Sequence, residues 1–338
     1  MERVKMAVVG AGLFGEYHAR AYYEYHRSEL VLVCDIDRKR AEEIGARYGC
    51  AWTTDIQQVL ENPEIRGVSV ATPDYAHRDP VVQLLQVGKH VLVEKPLATS
   101  TAEAREMVNL ARKNGLKLMV DFHNRWSPVF VQARQTVLSE RWGRPVMGYA
   151  RLSNPLRVPM QMLSWSTRSG PQWFLLPHIV DLVRWLFAQE ALEVHAVGCK
   201  GILEAKGIDA YDAIQATVFF EDSFATFETS WVLPDSYPSV IDFYMALYGT
   251  EGRIGIKPDY QGIEISGERH EWPFVLGQID AHGHTIGFMQ YPMMHFVDSI
   301  AEVREPLATG EDGFAVTAII EAAERSIQEE KRIEVEKL

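Results

Sequence analysis

Three glycines, an acid and a lysine are the residues whose types and spacing can do chemistry. The stretch VKMAVVGAGLFGEYHARAY sets Gly10, Gly12 and Gly15 in a G-x-G-x-x-G pattern, directly after an apolar run and at the start of a helical one. Gly10 suits a tight turn, Gly12 lets backbone approach a pyrophosphate, and Gly15 lets helix and strand pack closely. Free N–H groups and the helix dipole would hold the anion. Asp35 lies 20 residues after Gly15, at the end of LVLVCD. A carboxylate there accepts hydrogen bonds from ribose hydroxyls and repels the extra phosphate of NADP, so NAD is the expected cofactor and NADP the weaker one. Arg38, Lys39 and Arg40 nearby read as a solvated helix face.

The lysine is Lys95, in HVLVEKPL. An apolar strand that runs into Glu94, Lys95 and Pro96 must stop pairing there, because proline cannot donate to a sheet ladder. In an open parallel sheet, ligands bind beyond the carboxyl ends of the strands. Lys95 is therefore expected beside the nicotinamide, where burial and the positive ring would lower its ordinary value of about 10.4 toward a useful range. Two more loops fall at strand ends: VATPDYAH, with Thr72, Pro73 and His77, and FHNRWSP, with His123, Asn124, Arg125 and Trp126. Arg125 is a candidate substrate contact.

Elements that would position these residues can be read from periodicity. Apolar runs at Val4–Val9, Leu30–Cys34, Gly67–Ala71, His90–Val93 and Lys117–Val120 alternate with helical patterns near 13–26, 37–48, 76–87 and 100–114. Continuous apolar strands between helices imply a parallel sheet covered on both faces, an α/β domain over residues 1–122. After Phe122 the texture changes. A helical segment near 128–141 precedes longer strands, paired around Glu221–Ser223 and around Gly249–Gly252. Successive hairpins predict an antiparallel α+β domain over 123–338, with helices near 288–303 and 313–329. The C-terminal helix is left free to pack back on the first domain.

The 338 residues favour two domains, and a composition 47% hydrophobic and 24% charged is that of a globular protein with a sizeable core. A net charge of −12 argues against nucleic acid and against an anionic membrane surface. No signal peptide is read at MERVKMAVVG, and no apolar run approaches the ~18 residues of a membrane span. Cys34, Cys50 and Cys199 fit neither a disulfide framework nor a zinc site, so a cytoplasmic location is expected. His282 and His284 lack a partner of suitable spacing, and no metal site is expected.

The chain resembles the glucose–fructose oxidoreductase / inositol dehydrogenase / rhizopine-catabolism (Gfo/Idh/MocA) family. The matching stretches are VVGAGLFGEYHARAY, VATPDYAHRDPVVQLLQVGKHVLVEKPLA, LYGTEGRIGI and HFVDSIAEVREPLATGEDG, and GKHVLVEKPLA is the most specific. The resemblance implies an N-terminal Rossmann domain and a C-terminal domain with a large, mostly antiparallel open sheet, through which a homodimer or homotetramer would form. It implies hydride transfer between NAD(P) and a sugar, polyol or inositol-like compound, with Lys95 as the active-site lysine. Dinucleotide contacts carry over to Gly10, Gly12, Gly15 and Asp35, and to Thr72, Pro73 and His77. Leu13 and Phe14 between the glycines, and Glu94 with Lys95, complete the set.

The family's acid–histidine–acid segment maps to FLLPHIVDLVRWLF, which supplies His178 and Asp181 but has Phe174 in place of the first acid. His178 is expected at the substrate hydroxyl. Asp181, three residues on and on the same helix face, would orient its ring. Trp165 is a candidate sugar platform. Two rival readings remain on the same fold, an NAD-dependent glycoside hydrolase and a non-catalytic dinucleotide sensor.

Overall fold

A computed structural model describes residues 3–338 apart from 140 and 269. The chain groups into two compact units, one of residues 1–123, 280–314 and 338, the other of 124–279 and 315–337. Among the described residues, no helix is long and apolar enough to cross a membrane.

The first unit alternates strand and helix: β1 (Val4–Val9), α1 (Leu13–Glu24), β2 (Ser28–Cys34), α2 (Arg38–Tyr48), β3 (Ala51–Thr53), α3 (Gln57–Leu60), β4 (Gly67–Val70), α4 (Arg78–Gln86), β5 (His90–Glu94), α5 (Thr101–Asn114) and β6 (Leu118–Asp121). The strands form one sheet in the order β3-β2-β1-β4-β5-β6, all parallel. The order reverses between β1 and β4, and crevices for ligands open beyond the strand ends at such a reversal. Residues of β4, β5 and β6 are buried on both faces, which is why they read as unbroken apolar runs. Short β3 and α3 escape periodicity, being three and four residues long.

Two of the covering helices are closed by local chemistry. Asp37 caps α2 by accepting from the N–H groups of Lys39 and Arg40, and Ser100 caps α5 by accepting from that of Glu103. Gly49 and Gly115 end them in the left-handed conformation, at φ 66° and 64°. Helix α1 has Gly12 at its start and no side-chain cap.

The second unit holds α6 (Pro128–Val137), β7 (Pro145–Pro155), α7 (Pro171–Phe174), α8 (Leu176–Phe187), β8 (Glu193–Cys199), β9 (Ala213–Phe219), β10 (Phe224–Leu233), β11 (Asp242–Gly249) and β12 (Arg253–Ile256). Its seven-stranded sheet runs β12-β11-β7-β10-β9-β8 and ends on the short strand Ile333–Glu334. Every pair is antiparallel except the central β7 and β10, which are parallel. Burial alternates along β10, with Ala225, Phe227, Thr229 and Trp231 facing the core under α7 and α8.

The expected single boundary near 122 misses a return of the chain. Residues 280–314 belong to the first unit. They carry the helix α9 (Tyr291–Ala301), whose Met293, Phe296, Val297 and Ile300 are buried against α1, β1 and β5. Beyond it, the N–H of Val120 on β6 donates to the carbonyl of Ala308 at 3.0 Å. The final helix, α10 (Gly310–Glu329), starts in the first unit and continues in the second.

Phe296 is fully buried. Its truncation to alanine is expected to destabilise the first unit by about 3–5 kcal/mol, as read by denaturant unfolding.

Candidate active site

The three glycines answer to different constraints. Gly10 has φ +95°, and a Cβ there would lie 2.6 Å from the carbonyl oxygen of Ala71. At Gly15 a Cβ would meet the Gly10 oxygen at 1.8 Å. Both must be glycine for the turn to close. A Cβ on Gly12 would meet nothing within 4 Å. Among the described residues nothing requires that glycine, and the turn is open on this side. The uncapped α1 N–H groups beside it suit a pyrophosphate.

Asp35, at the end of β2, accepts from the N–H of Ala11 at 2.6 Å and from that of Asp37 at 2.7 Å. One bond on each oxygen leaves lone pairs for a ribose. The same carboxylate thus ties β2 to the glycine turn. Leu13 is exposed at the first turn of α1, and Phe14 rests edge-on against Tyr17. The turn, the uncapped helix start and the Asp35 carboxylate thus lie next to one another.

The T-P-x-x-x-H loop behaves differently. Thr72 Oγ1 donates to the carbonyl of Ala76 at 3.1 Å, closing the turn that starts at Pro73. His77 is buried, with Nδ1 2.7 Å from the carbonyl oxygen of Pro96 and Nε2 2.9 Å from that of Thr72. Its expected place among the cofactor contacts is corrected: both ring nitrogens face protein carbonyls, and the ring braces the loop after β4 against the Glu94–Pro96 turn. Burial pulls its proton affinity down, against the charge of Asp74 and the two carbonyls.

Lys95 is only 6% exposed. Burial lowers its hold on a proton, opposed by the carboxylates of Glu94, Asp74 and Asp121. Glu94 engages protein groups. Its Oε2 accepts from the Lys95 N–H at 3.2 Å, and its Oε1 lies 3.2 Å from Nε2 of His18. The β5–β6 register sets Asp121 beside Glu94, and Asp121 Oδ2 is 3.3 Å from the same His18 nitrogen. Burial opposes charge on each group. The two carboxylates nevertheless raise His18 to about 9, and the imidazolium holds Glu94 at about 2. Asp121 is pushed up by burial and by Glu94, against His18 and His123.

In the second unit, His178 is half-buried in the first turn of α8, behind Pro177. Phe174, where the family has an acid, stands in an aromatic row, 5.9 Å from Trp165 and 5.8 Å from Trp231 between ring centroids. Asp181 and Arg125 pair with each other. Arg125 Nε and Nη2 donate to the two oxygens of Asp181 at 2.9 and 2.5 Å, and both residues are buried. The guanidinium also lies over the Trp185 ring, 5.7 Å from its centroid. Asp181 thus receives a bidentate arginine, and Arg125 is a buried clamp rather than an open side chain.

His18 and Asp121 were not picked out in the sequence. His18 falls on the stripe Gly15, His18, Ala19, Tyr22 that α1 buries, three residues after the last motif glycine. A polar residue on such a stripe was the available signal.

Residues 4–122 match the family described as "Oxidoreductase family, NAD-binding Rossmann fold", and residues 130–255 match the "GFO/IDH/MocA C-terminal domain". An inositol 2-dehydrogenase of Rhizobium meliloti is 26% identical over 98% of this chain and 99% of its own. Among solved structures, GenD2 from gentamicin A biosynthesis in complex with NAD is similar at TM-score 0.87, with 24% identity over 99% of this chain and 97% of that one. Levoglucosan dehydrogenase in complex with NADH and levoglucosan is similar at TM-score 0.85, with 22% identity over 99% and 100%.

The glycine geometry separates two substitutions. Gly12→Ala is expected to keep stability within about 1 kcal/mol of wild type while weakening NADH binding about tenfold or more. Gly15→Ala is expected to lower the unfolding temperature as well, since its Cβ has no room. Thermal unfolding and NADH titration of both variants check this. Arg125→Ala, which leaves Asp181 charged and buried, is expected to cost about 3–5 kcal/mol in denaturant unfolding, and Arg125→Met with Asp181→Leu is expected to recover much of it.

Proposed function

The chain belongs to the Gfo/Idh/MocA family of oxidoreductases, and from that premise we propose that it is an NAD-dependent dehydrogenase of a sugar, polyol or inositol-like substrate. The observation that carries this reading is the buried Lys95 amine at the tip of β5, in the same unit as the open turn at Gly12. The named activities of an inositol dehydrogenase and a levoglucosan dehydrogenase support the substrate class. Gly10, Gly12, Gly15 and Asp35 would hold the dinucleotide, and the Asp35 carboxylate favours NAD over NADP. When bound, NAD supplies the hydride acceptor.

Lys95 moves the proton. In the oxidation direction the neutral amine takes the hydroxyl proton as hydride leaves the carbon; in reduction the ammonium returns it. His178 is assigned to the substrate hydroxyl, with Trp165 and Phe174 as an apolar wall. The absent acid leaves the proton one carboxylate fewer to pass through, so more of the work falls on Lys95.

A homo-oligomer through the open face of the seven-stranded sheet is part of the same proposal. That face carries Tyr149, whose hydroxyl donates to Glu228 at 2.9 Å, and Tyr244, 6.1 Å from Tyr149 between ring centroids. Aromatic residues with polar tips suit an interface. Free Cys34, Cys50 and Cys199 suit a reducing cytoplasm.

A panel of inositols, sugars and sugar acids with NAD and NADP, read by absorbance of the reduced cofactor, tests the activity. Formation of NADH from a free polyol or sugar is expected; none across the panel would overturn the reading. Lys95→Ala is expected to lower turnover by about 10²–10⁴ with NADH binding retained, and Lys95→Arg is expected not to rescue it, since a guanidinium stays protonated. Oxidation requires neutral Lys95. Its rate should therefore rise with pH along a limb lying below the amine's ordinary 10.5, because the group's hold on its proton is lowered.

A further inference from the structure

Two carboxylates side by side at buried strand ends need a reason to stay there. Glu94 and Asp121 are register partners on β5 and β6, and they are 5% and 3% exposed. Like charges so placed repel, and burial makes the repulsion stronger. A single nitrogen meets both: His18 Nε2, 3.2 Å from Glu94 Oε1 and 3.3 Å from Asp121 Oδ2. The ring is fully buried, and its Nδ1 lies 2.9 Å from the hydroxyl of Ser69, itself 2.6 Å from that of Tyr22. Among the described residues, Asp121 Oδ1 has no hydrogen-bond partner, so this carboxylate leans on His18 through its other oxygen.

We propose that His18 is a positioning residue that, as an imidazolium bridging Glu94 and Asp121, sets the charge that the Lys95 amine meets. This rests on the reading of Lys95 as the proton-transfer group only where rates are concerned. The groups around the amine come from several elements. Glu94 precedes it on its own strand, Asp121 faces it from β6, Asp74 from the turn after β4, and His123 from the segment after β6. The groups around the His18 ring are Glu94, Asp121 and His123, with neutral Ser69 and Tyr22. His77 has both nitrogens on carbonyls.

Charge counting gives the direction. With His18 protonated, one imidazolium and one ammonium balance Glu94 and Asp121, and the Asp74 carboxylate adds a third negative charge in either state. Without the imidazolium, three carboxylates face the ammonium alone, and Lys95 holds its proton more tightly. Removing the Asp121 charge as well restores the balance. His18 sits on α1, three residues after Gly15, so the helix that presents the glycine turn also governs the acidity of the lysine.

The test is a pH titration of the Lys95 ¹³Cε resonance in cofactor-free protein labelled with [¹³Cε]lysine, assigned with Lys95→Met. His18→Gln is expected to raise the midpoint by about one unit or more. His18→Gln with Asp121→Asn is expected to bring it back toward wild type, and Asp121→Asn alone to lower it. A packing role for His18 predicts no such compensation. An unchanged midpoint in folded His18→Gln protein, or a double variant no nearer wild type than the single one, would overturn the proposal. Should His18→Gln fail to fold, Asp121→Asn decides: a midpoint that does not fall would also overturn it. The oxidation limb in turnover should follow the same shifts. Shifted midpoints with an unmoved limb would leave His18 in its role and remove Lys95 from the chemistry.

Discussion

A buried ammonium group must receive its counter-charges from the fold, and the first unit is arranged around that need. Lys95 lies beyond the end of a strand whose every residue after His90 is buried. Water supplies little compensation there, so carboxylates do. Glu94 comes with the strand itself. Asp121 arrives because β5 and β6 pair in a register that ends them together, and Asp74 because the turn after β4 folds toward the same edge. His77 then locks that turn to the carbonyl of Pro96. Lys95 and the His18 ring are the cations set against these carboxylates.

Much of this was legible in the sequence because it depends on local backbone geometry. The glycine spacing, the acid at the end of β2 and the proline after Lys95 each sit where one strand meets its following turn, within a short motif. The strands β1, β4, β5 and β6 lie within a residue of their expected bounds because their mostly buried residues leave apolar runs, whereas β2 begins at Ser28, two residues before the expected Leu30, through a half-exposed Glu29. Other pairings act across long sequence separations. Arg125 and Asp181 are 56 residues apart, and nothing near either one announces the other. His77 looked like a ligand group because a histidine in a loop near a cofactor motif has the right chemistry. Its actual partners are backbone carbonyls, which leave no mark in sequence.

His18 shows the same limit within a regular element. On a helical wheel it falls among alanine, glycine and tyrosine on the face of α1 that packs on the sheet. Periodicity marks that position as buried but does not name what it meets. Only the sheet order, which brings β4, β5 and β6 side by side, assembles Ser69, Glu94 and Asp121 into one pocket for the ring.

The return of residues 280–314 has a consequence for how the chain can be divided. A fragment ending at 123 would carry the whole parallel sheet but lack α9, exposing apolar surface of α1, β1 and β5 that this helix covers. Neither unit corresponds to one continuous stretch of chain, so no single cut yields a well-covered half. Transplanting the nucleotide-binding unit, or exchanging the other for that of a relative, therefore requires at least three splice points, one near 123 and one on either side of the 280–314 excursion.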